Sequence, residues 1–179
     1  MTEPHRHDTH GGHADRRQVR VLTVTVSDTR TEANDEGGGR LRELLAEAGF
    51  ALAPHRITTD DPERLRAILD DVCEGDLADA VITTGGTGIA PRDATLEALE
   101  PLFEKRLEGF GEIFRQLSFQ EIGPRAILSR ATAGVVRGRF VAALPGSPRA
   151  VALAVTAVLV PTLAHAVALL KGGEKHGAR

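Results

Sequence analysis

The sequence predicts a three-layer α/β/α domain on a mostly parallel sheet with a small hairpin. Segments rich in β-branched residues alternate with amphipathic helical stretches, which is typical of βαβ units. The chain has 179 residues, of which 41% are hydrophobic and 26% are charged, as expected for one globular domain. Its single cysteine, Cys73, excludes an intrachain disulfide, so a buried core must stabilise the fold.

The first βαβ unit is predicted over residues 19–57. Val19 to Val26 is β-branched and ends at a polar Ser-Asp pair, which indicates a strand. Gly49 ends the helix that follows, and residues 50–57 are predicted as the second strand. The helix has apolar residues with the i, i+3, i+4, i+7 spacing: Leu41, Leu44, Leu45 and Ala48.

The second unit begins at Asp61-Pro62, where Asp suits a helix N-cap and Pro suits the first turn. Cys73 lies beside the apolar stripe of this helix and is interpreted as a small buried hydrophobe rather than a nucleophile. Ala78 to Thr83 is the third predicted strand. The stripe itself is Leu65, Ile68, Leu69 and Val72.

The second half of the chain continues with a glycine-rich turn at 84–91 and a helix striped by Leu96, Leu99 and Phe103. Residues 133–144 are predicted as a hairpin turning at Arg137-Gly138, and a last helix follows Pro145–Pro148. Between the third helix and the hairpin, residues 109–122 predict another helix with one shared face: Phe110, Ile113, Phe114 and Leu117.

The domain boundaries follow from composition. Residues 1–18 are expected to be a disordered His-rich tail, 19–171 a single domain, and 172–179 a flexible tail. The four histidines of the first tail predict either a solvated segment or a site for a borderline metal ion. They are His5, His7, His10 and His13.

Composition excludes several functions. The net charge is −3, and the chain has no Trp and no Tyr, which argues against nucleic-acid binding. The N-terminus has no apolar core typical of a signal peptide, so a cytoplasmic protein is expected. Ala150–Leu170 has no formal charge and is long enough to span a bilayer, but Pro161 interrupts it. We expect a buried helix, partly covered by a neighbouring subunit, and no membrane insertion.

Two apolar surfaces predict self-association. The last helix carries apolar residues on every face, which requires burial on every side. The segment containing Phe110, Phe114 and Phe119 adds a second apolar strip, and large apolar patches usually mark interfaces.

A ligand site is expected where the parallel strands end. The loop at residues 83–95 reads TTGGTGIAPRDAT, and its glycines allow successive N–H groups to surround an anion. It lacks the Lys-Ser/Thr of a P-loop and the last glycine of the dinucleotide fingerprint. Arg92 can bind a phosphate with two N–H groups. Asp93 either holds hydrated Mg²⁺ or caps the next helix.

Asp60 is a second carboxylate at this edge, just after the second predicted strand. One interpretation is that Asp60 and Asp61 cap the following helix. The other is that Asp60 and Asp93 form a carboxylate pair for metal-assisted phosphoryl chemistry. Spacing alone leaves both open.

Several segments resemble one known family. The TTGGTG and PRDAT of the glycine loop, SRATAG at 129–134 and LPGSP at 144–148 are similar to the molybdenum cofactor biosynthesis family, which includes the MoaB and Mog proteins. GFGEIFRQLSFQEIG at 109–123 resembles the MoaB branch, and VTVSDTRTEANDEGG at 24–38 resembles the family's first strand and loop. The likeness runs from about Val21 to Leu170.

The resemblance implies a molybdopterin adenylyltransferase, which transfers AMP from Mg-ATP to the terminal phosphate of molybdopterin. It implies Mg²⁺ as cofactor, ATP as co-substrate, a homotrimer or homohexamer, and a molybdenum-inserting transferase as a further partner. The alternative is a non-catalytic MoaB-type protein that only binds molybdopterin.

By the same resemblance, the catalytic residues are Asp60 and Asp93, which would also hold the metal. The presence of both carboxylates favours an active enzyme. The residues matched to nucleotide or pterin binding are Thr84, Gly85, Gly86, Thr87, Gly88, Arg92, Ser129, Pro145, Gly146 and Ser147.

Overall fold

The computed structural model describes residues 15–172. The histidine run of the expected N-terminal tail lies outside the described residues, as does 173–179. Asp15 caps a 3₁₀ turn at Arg16–Gln18, so the last residues of the 1–18 segment take a defined turn before the first strand.

One mixed sheet organises the chain, in the order β2-β1-β4-β7-β6-β5, with β3 on the same side of β1 as β2. Strand β6 runs antiparallel to β5 and β7, and the other pairings are parallel. The predicted fold class is confirmed. The strands are β1 Arg20–Val26, β2 Ala51–Leu52, β3 Arg56–Thr58, β4 Ala80–Thr84, β5 Lys105–Arg106, β6 Thr132–Val136 and β7 Arg139–Leu144.

Helices cover both faces of this sheet. The last of them is continuous over Pro148–Leu170 and contains a π-helical turn at Val155–Leu159, and we call it the C-terminal helix. The helices are α1 Glu36–Glu47, α2 Pro62–Glu74, α3 Thr95–Leu99, α4 Glu108–Ile122, α5 Pro148–Ala154 and α6 Val160–Leu170.

Two apolar layers hold the helices to the sheet. Alternate side chains of β1 enter different layers, as a pleated strand requires. Val21 belongs to the layer formed with α1, α4 and the C-terminal helix. Leu22 and Val24 belong to the layer formed with α2 and α3. Burial on both faces explains the continuous apolar run of β1.

The predicted strand at residues 50–57 is wrong as one continuous element. Strand β2 ends at Leu52 and β3 begins at Arg56, and both pair with β1. Pro54 lies in the gap, and proline has no N–H to donate to a neighbouring strand. The interruption leaves His55 outside the ladder.

The predicted third helix is shorter than its apolar stripe. Helix α3 ends at Leu99, and a 3₁₀ turn follows at Glu100–Leu102. Pro101 cannot donate the next helical hydrogen bond, so Phe103 lies beyond the helix. The predicted hairpin is confirmed as β6 and β7, and its turn residues Arg137 and Gly138 both have positive φ, 45° and 72°, as a type I′ turn requires.

The C-terminal helix is long and apolar enough to cross a membrane, but its inner face is part of the core. Val151, Leu159 and Leu163 are completely buried. The outward face is less apolar than expected from the sequence, because Leu169 is its one strongly exposed large aliphatic side chain. Burial of this face by a neighbouring subunit stays a prediction. The exposed positions are Arg149, Thr156, Ala157, Pro161, Thr162, His165 and Leu169.

The predicted phenylalanine strip is also corrected. Phe110 and Phe114 are buried in the core, whereas Phe119 is exposed. Helix α4 and the 3₁₀ turn Gly123–Leu128 that follows nevertheless expose several large apolar side chains. They are Ile113, Phe119, Ile122, Ile127 and Leu128, which we call the α4 apolar surface.

At the amino end of the sheet, Asp79 ties three elements together. Its side chain is buried, accepts the Arg20 backbone N–H at 2.8 Å, and lies 2.8 Å from Lys171 Nζ after the C-terminal helix. Burial raises the pKa of Asp79, but the Lys171 ammonium and the Arg20 N–H outweigh burial, so the pKa lies below its ordinary value.

Asp79→Asn should lower the free energy of unfolding by about 1.5–3 kcal/mol, the range for hydrogen bonds to charged groups. Because the folded pKa is depressed, this stabilisation is present above the unfolded pKa and is lost as pH falls through the folded value. Urea titrations should therefore show a smaller difference in unfolding free energy between wild type and Asp79→Asn at pH 3 than at pH 7.

The matched control is Asp71→Asn, which removes an exposed pair with Arg56. It should change the unfolding free energy by less than about 1 kcal/mol. An equally small effect of Asp79→Asn at pH 7 would contradict its structural role.

Candidate functional site

The carboxyl ends of β1, β3, β4 and β7 meet at one edge of the sheet. The chain leaves β1 toward α1 on one face and leaves β4 toward α3 on the other face. Loops that diverge in this way open a crevice in α/β folds. A cavity of about 560 Å³ occupies this position.

Every residue that the sequence assigns to the site lines this cavity, although the residues come from four separate loops. Sequence reasoning therefore selected residues that share one cavity, and both the assignment of this cavity as the ligand site and the roles of its residues remain predictions. The assigned residues are Asp60, Thr84, Gly85, Gly86, Thr87, Gly88, Arg92, Asp93, Ser129, Pro145, Gly146 and Ser147.

The glycine loop is shaped by backbone that other residues rarely adopt. Gly85 and Gly86 have φ of +103° and +61°. A Cβ on Gly86 would collide with the Asp60 carboxylate and the Thr95 hydroxyl, and one on Gly88 would lie 2.5 Å from Asp93 Oδ2. These glycines allow both carboxylates to lie directly against the loop.

Arg130 holds the glycine loop in place. Its Nε donates to the Gly88 carbonyl at 2.8 Å and its Nη2 to the Asp93 carbonyl at 3.1 Å. Its Nη1 also pairs with Glu97 of α3 at 2.6 Å. Arg130 belongs to the SRATAG segment that carries the family resemblance, and these hydrogen bonds give it the role of bracing the glycine loop.

Asp93 does not cap α3, because the N-cap is Ala94 and no side chain caps that helix. Instead, its Oδ2 accepts the Ala90 N–H at 2.8 Å, and its own N–H donates to the Ala90 carbonyl. The cap interpretation from the sequence is therefore wrong. Asp93 closes the turn at 90–93 beside the cavity.

Asp60 does not cap α2 either, because Asp61 fills that position by accepting the Glu63 N–H. The Asp60 N–H donates to Asp28 Oδ1 at 3.3 Å. The Asp60 Oδ1 atom is buried and has no hydrogen-bond partner in the described part of the chain.

The electrostatics of Asp60 match this geometry. Burial raises the pKa of its carboxyl group, and the negative charges of Asp28 and Asp93 raise it further. Arg92 opposes them but does not cancel the shift. An unpartnered carboxylate near other carboxylates is stabilised by a nearby cation.

The carboxylates suit a shared metal site rather than a closed one. Within residues 15–172, no group of three or more His, Cys, Asp or Glu side chains is placed to hold a metal alone. Mg²⁺ typically uses one or two carboxylates together with waters and substrate phosphates. The carboxylates of Asp60 and Asp93, two residues that line the same cavity, fit that kind of coordination.

Sequence reasoning missed several cavity residues in the loop after β1. Asp28, Thr29 and Arg30 line the cavity, and Arg30 Nη1 donates to the Asn34 carbonyl at 2.6 Å. Asp35 lines it as well. The position of the loop after a strand was a signal for the region, but spacing alone did not select these residues.

Cys73 lies away from this cavity. It is half-buried, and burial raises the pKa of its thiol. A raised pKa disfavours the thiolate, which agrees with the interpretation that Cys73 is not a nucleophile.

Comparison with known proteins identifies the family. Residues 22–165 match the model of a probable molybdopterin binding domain. The chain belongs to the molybdenum cofactor biosynthesis family. It is 49% identical over 150 residues to molybdenum cofactor biosynthesis protein B of Bacillus subtilis (strain 168). The matched region covers 83% of this chain and 88% of the relative.

Solved structures support the same assignment within the molybdenum cofactor biosynthesis family. A molybdenum cofactor biosynthesis protein B superposes with a TM-score of 0.83 at 42% identity, covering 86% of this chain and 96% of that one. The tungsten cofactor synthesizing protein MoaB from Pyrococcus furiosus gives 0.76 at 35% identity, covering 88% and 98%. The chain is thus a MoaB-type member of the family.

Gly86→Ala should destabilise the protein more than Gly138→Ala. Both glycines have positive φ, but a Cβ on Gly138 meets nothing within 4 Å, so that variant carries only the backbone strain of about 1–2 kcal/mol. Gly86→Ala adds a collision with Asp60 and Thr95. Thermal or urea unfolding measures the difference, and equal losses would contradict the close approach of Asp60.

Proposed function

We propose that this MoaB-type protein is a molybdopterin adenylyltransferase, which transfers AMP from ATP to the terminal phosphate of molybdopterin. The observation that carries the proposal is the Asp60 carboxylate, which has a buried, unpartnered oxygen and belongs to a residue that lines the same cavity as the glycine loop and Asp93. Asp60 and Asp93 together supply the pair of carboxylates that metal-assisted phosphoryl transfer uses, which favours catalysis over pterin binding alone.

In the proposed reaction, a terminal phosphate oxygen of molybdopterin attacks the α-phosphorus of ATP. A new P–O bond forms, and the bond to the β-phosphate oxygen breaks, so pyrophosphate leaves. Such transfers demand positioning and charge neutralisation more than covalent catalysis by the protein. Backbone N–H groups of Gly85–Gly88 would bind phosphate oxygens, and Arg92 would offset their charge.

Asp60 and Asp93 are the residues that would hold Mg²⁺. When bound, this ion would neutralise charge on the phosphate oxygens. Asp93 is well suited to the role because its Oδ2 is already fixed by the Ala90 N–H. Asp60 brings a carboxylate whose pKa is raised by burial and by neighbouring carboxylates, so a cation beside it stabilises the ionised form.

Asp93→Asn should remove turnover and leave molybdopterin binding intact. An asparagine oxygen can still accept the Ala90 N–H, so the loop is kept while the negative charge is lost. We expect pyrophosphate release from Mg-ATP and molybdopterin to fall by about 10²–10³-fold, the size typical of a lost electrostatic stabiliser. Molybdopterin fluorescence measures binding separately.

The control for this test is Asp61→Asn, because Asn caps a helix about as well as Asp and Asp61 caps α2. It should leave turnover unchanged. Near wild-type turnover by Asp93→Asn would show that Asp93 only closes the turn at 90–93. Binding of molybdopterin by the wild-type chain with no pyrophosphate release would favour the non-catalytic alternative.

We further infer that the protein assembles as a homotrimer or homohexamer and acts in the cytoplasm. The α4 apolar surface supports self-association, since Phe119 and Ile127 are 58% and 81% exposed and closed symmetry would cover them. The adenylylated product would pass to a molybdenum-inserting transferase, which is the proposed protein partner.

Sedimentation equilibrium should give a mass of three or six chains of 19.1 kDa. Ile127→Asp should shift the assembly toward smaller species, because it places a charge on the α4 apolar surface. Leu77→Asp, at an exposed apolar residue outside that surface, should leave the mass unchanged. A wild-type mass of one chain would contradict the inference.

A further inference from the structure

A polar cluster lies beside the cavity on an otherwise apolar face of β1. Thr23 and Thr25 follow Val21 on that face, and both are buried. His55, in the gap between β2 and β3, and Asp35, before α1, complete the cluster. The side chains of His55 and Asp35 are only 7% and 4% exposed, and the proposed reaction uses neither.

Its hydrogen bonds define one tautomer of His55. The ring Nδ1 lies 2.8 Å from Thr23 Oγ1, and Nε2 lies 3.1 Å from Asp35 Oδ2. A carboxylate can only accept, so Nε2 carries the proton, and a neutral ring then accepts the Thr23 hydroxyl at Nδ1. Thr25 Oγ1 donates to the same Asp35 oxygen at 2.7 Å.

The charges of this pair follow from burial and its neighbours. Burial lowers the pKa of His55, and Arg42 of α1 lowers it further, while Asp35 acts in the opposite direction without cancelling the shift. Burial raises the pKa of Asp35, but donors from Thr25, Gly38 and His55 bring it below its ordinary value. At neutral pH a neutral imidazole therefore faces an ionised carboxylate.

Asp35 connects this cluster to the cavity wall. Its Oδ1 accepts the Gly38 N–H at 2.9 Å, which caps α1, and Asp35 itself lines the cavity. The first turn of α1 then lies against the 145–148 loop: a Cβ on Gly37 would come within 2.5 Å of the Gly146 carbonyl oxygen. Gly146 is one of the residues assigned to ligand binding.

We propose that His55 is a positioning residue for the site: through Asp35 it holds the first turn of α1 against the 145–148 loop. Asp35 needs all three donors because it is a buried charge. Removing the imidazole leaves Asp35 one donor short, so α1 loosens at its first turn and the 145–148 loop loses the surface that supports it.

Hydrogen–deuterium exchange of the unliganded protein tests this directly. His55→Phe keeps a ring of similar shape but cannot donate to Asp35. We expect exchange at the Gly38 amide to rise by about 10- to 100-fold, as for a lost hydrogen bond to a charged group. Exchange of the Ala150 and Val151 amides, which donate to Ser147 of the 145–148 loop, should rise with it.

His55→Gln is the rescue variant, since its amide N–H can reach Asp35, and it should return exchange in both segments toward the wild-type rate. His165→Gln, at an exposed histidine of the C-terminal helix, is the control and should change neither. A rise confined to 35–39, or an equal rise across the core strands β4 and β7, would overturn the positioning role.

A pH series keeps the test informative if His55→Phe fails to fold. The neutral form of His55 is lost as pH falls below its lowered pKa. The protonated ring still donates Nε2–H to Asp35 and adds a positive charge that strengthens this hydrogen bond. After correction for intrinsic rates, wild-type exchange at the Gly38 amide should therefore slow relative to that of His55→Gln as His55 protonates while Asp35 stays ionised. Identical acid profiles of the two proteins would contradict the proposal.

The inference depends on the proposed function only for its effect on ligand. With Mg-ATP as the probe, calorimetry should show weaker binding to His55→Phe than to wild type, and recovery in His55→Gln. If wild type binds no Mg-ATP, the adenylyltransferase proposal fails, while the exchange results in the free protein still decide the role of His55.

Discussion

The site depends on one costly arrangement, a buried Asp60 oxygen without a hydrogen-bond partner in the described chain. Burial and the negative charges of Asp28 and Asp93 disfavour the ionised form of this carboxylate, and Arg92 only partly opposes them. The surrounding structure preserves this state: Gly86 has no side chain to displace the carboxylate. Under the proposed function, a cation and phosphates would complete this arrangement and favour the ionised carboxylate.

The amino end of the sheet contributes to stability, and the carboxyl end carries the candidate site. At the amino end, the buried charge of Asp79 is countered by an ion pair with Lys171 and by the Arg20 N–H. At the carboxyl end, Arg130 donates to carbonyl groups of the glycine loop and not to the carboxylates of Asp60 and Asp93, which therefore remain available to a ligand. A rigid scaffold with an unsatisfied edge is what positioning chemistry requires.

The sequence predicts features that depend on local residue type, but it does not predict contacts between residues far apart in the chain. The Arg137-Gly138 turn and the glycine loop carry their geometry in residue type, so the hairpin and most of the cavity could be predicted. The sequence pattern predicts one strand across Pro54, so it gives no sign that the strand is interrupted there or that His55 lies outside the ladder. Pairing of His55 with Asp35, or of Arg130 with Gly88, depends on tertiary contacts that no periodicity encodes.

The most direct measurement is a carboxyl ¹³C NMR titration of Asp60, assigned with Asp60→Asn, in the free protein and with Mg-ATP. In the free protein, Asp60 should titrate above its ordinary value, because burial and neighbouring carboxylates raise its pKa. Mg-ATP should shift that titration to lower pH, since a bound cation favours the ionised carboxylate. An ordinary midpoint that Mg-ATP does not move would contradict the assignment of Asp60 to a metal–phosphate site.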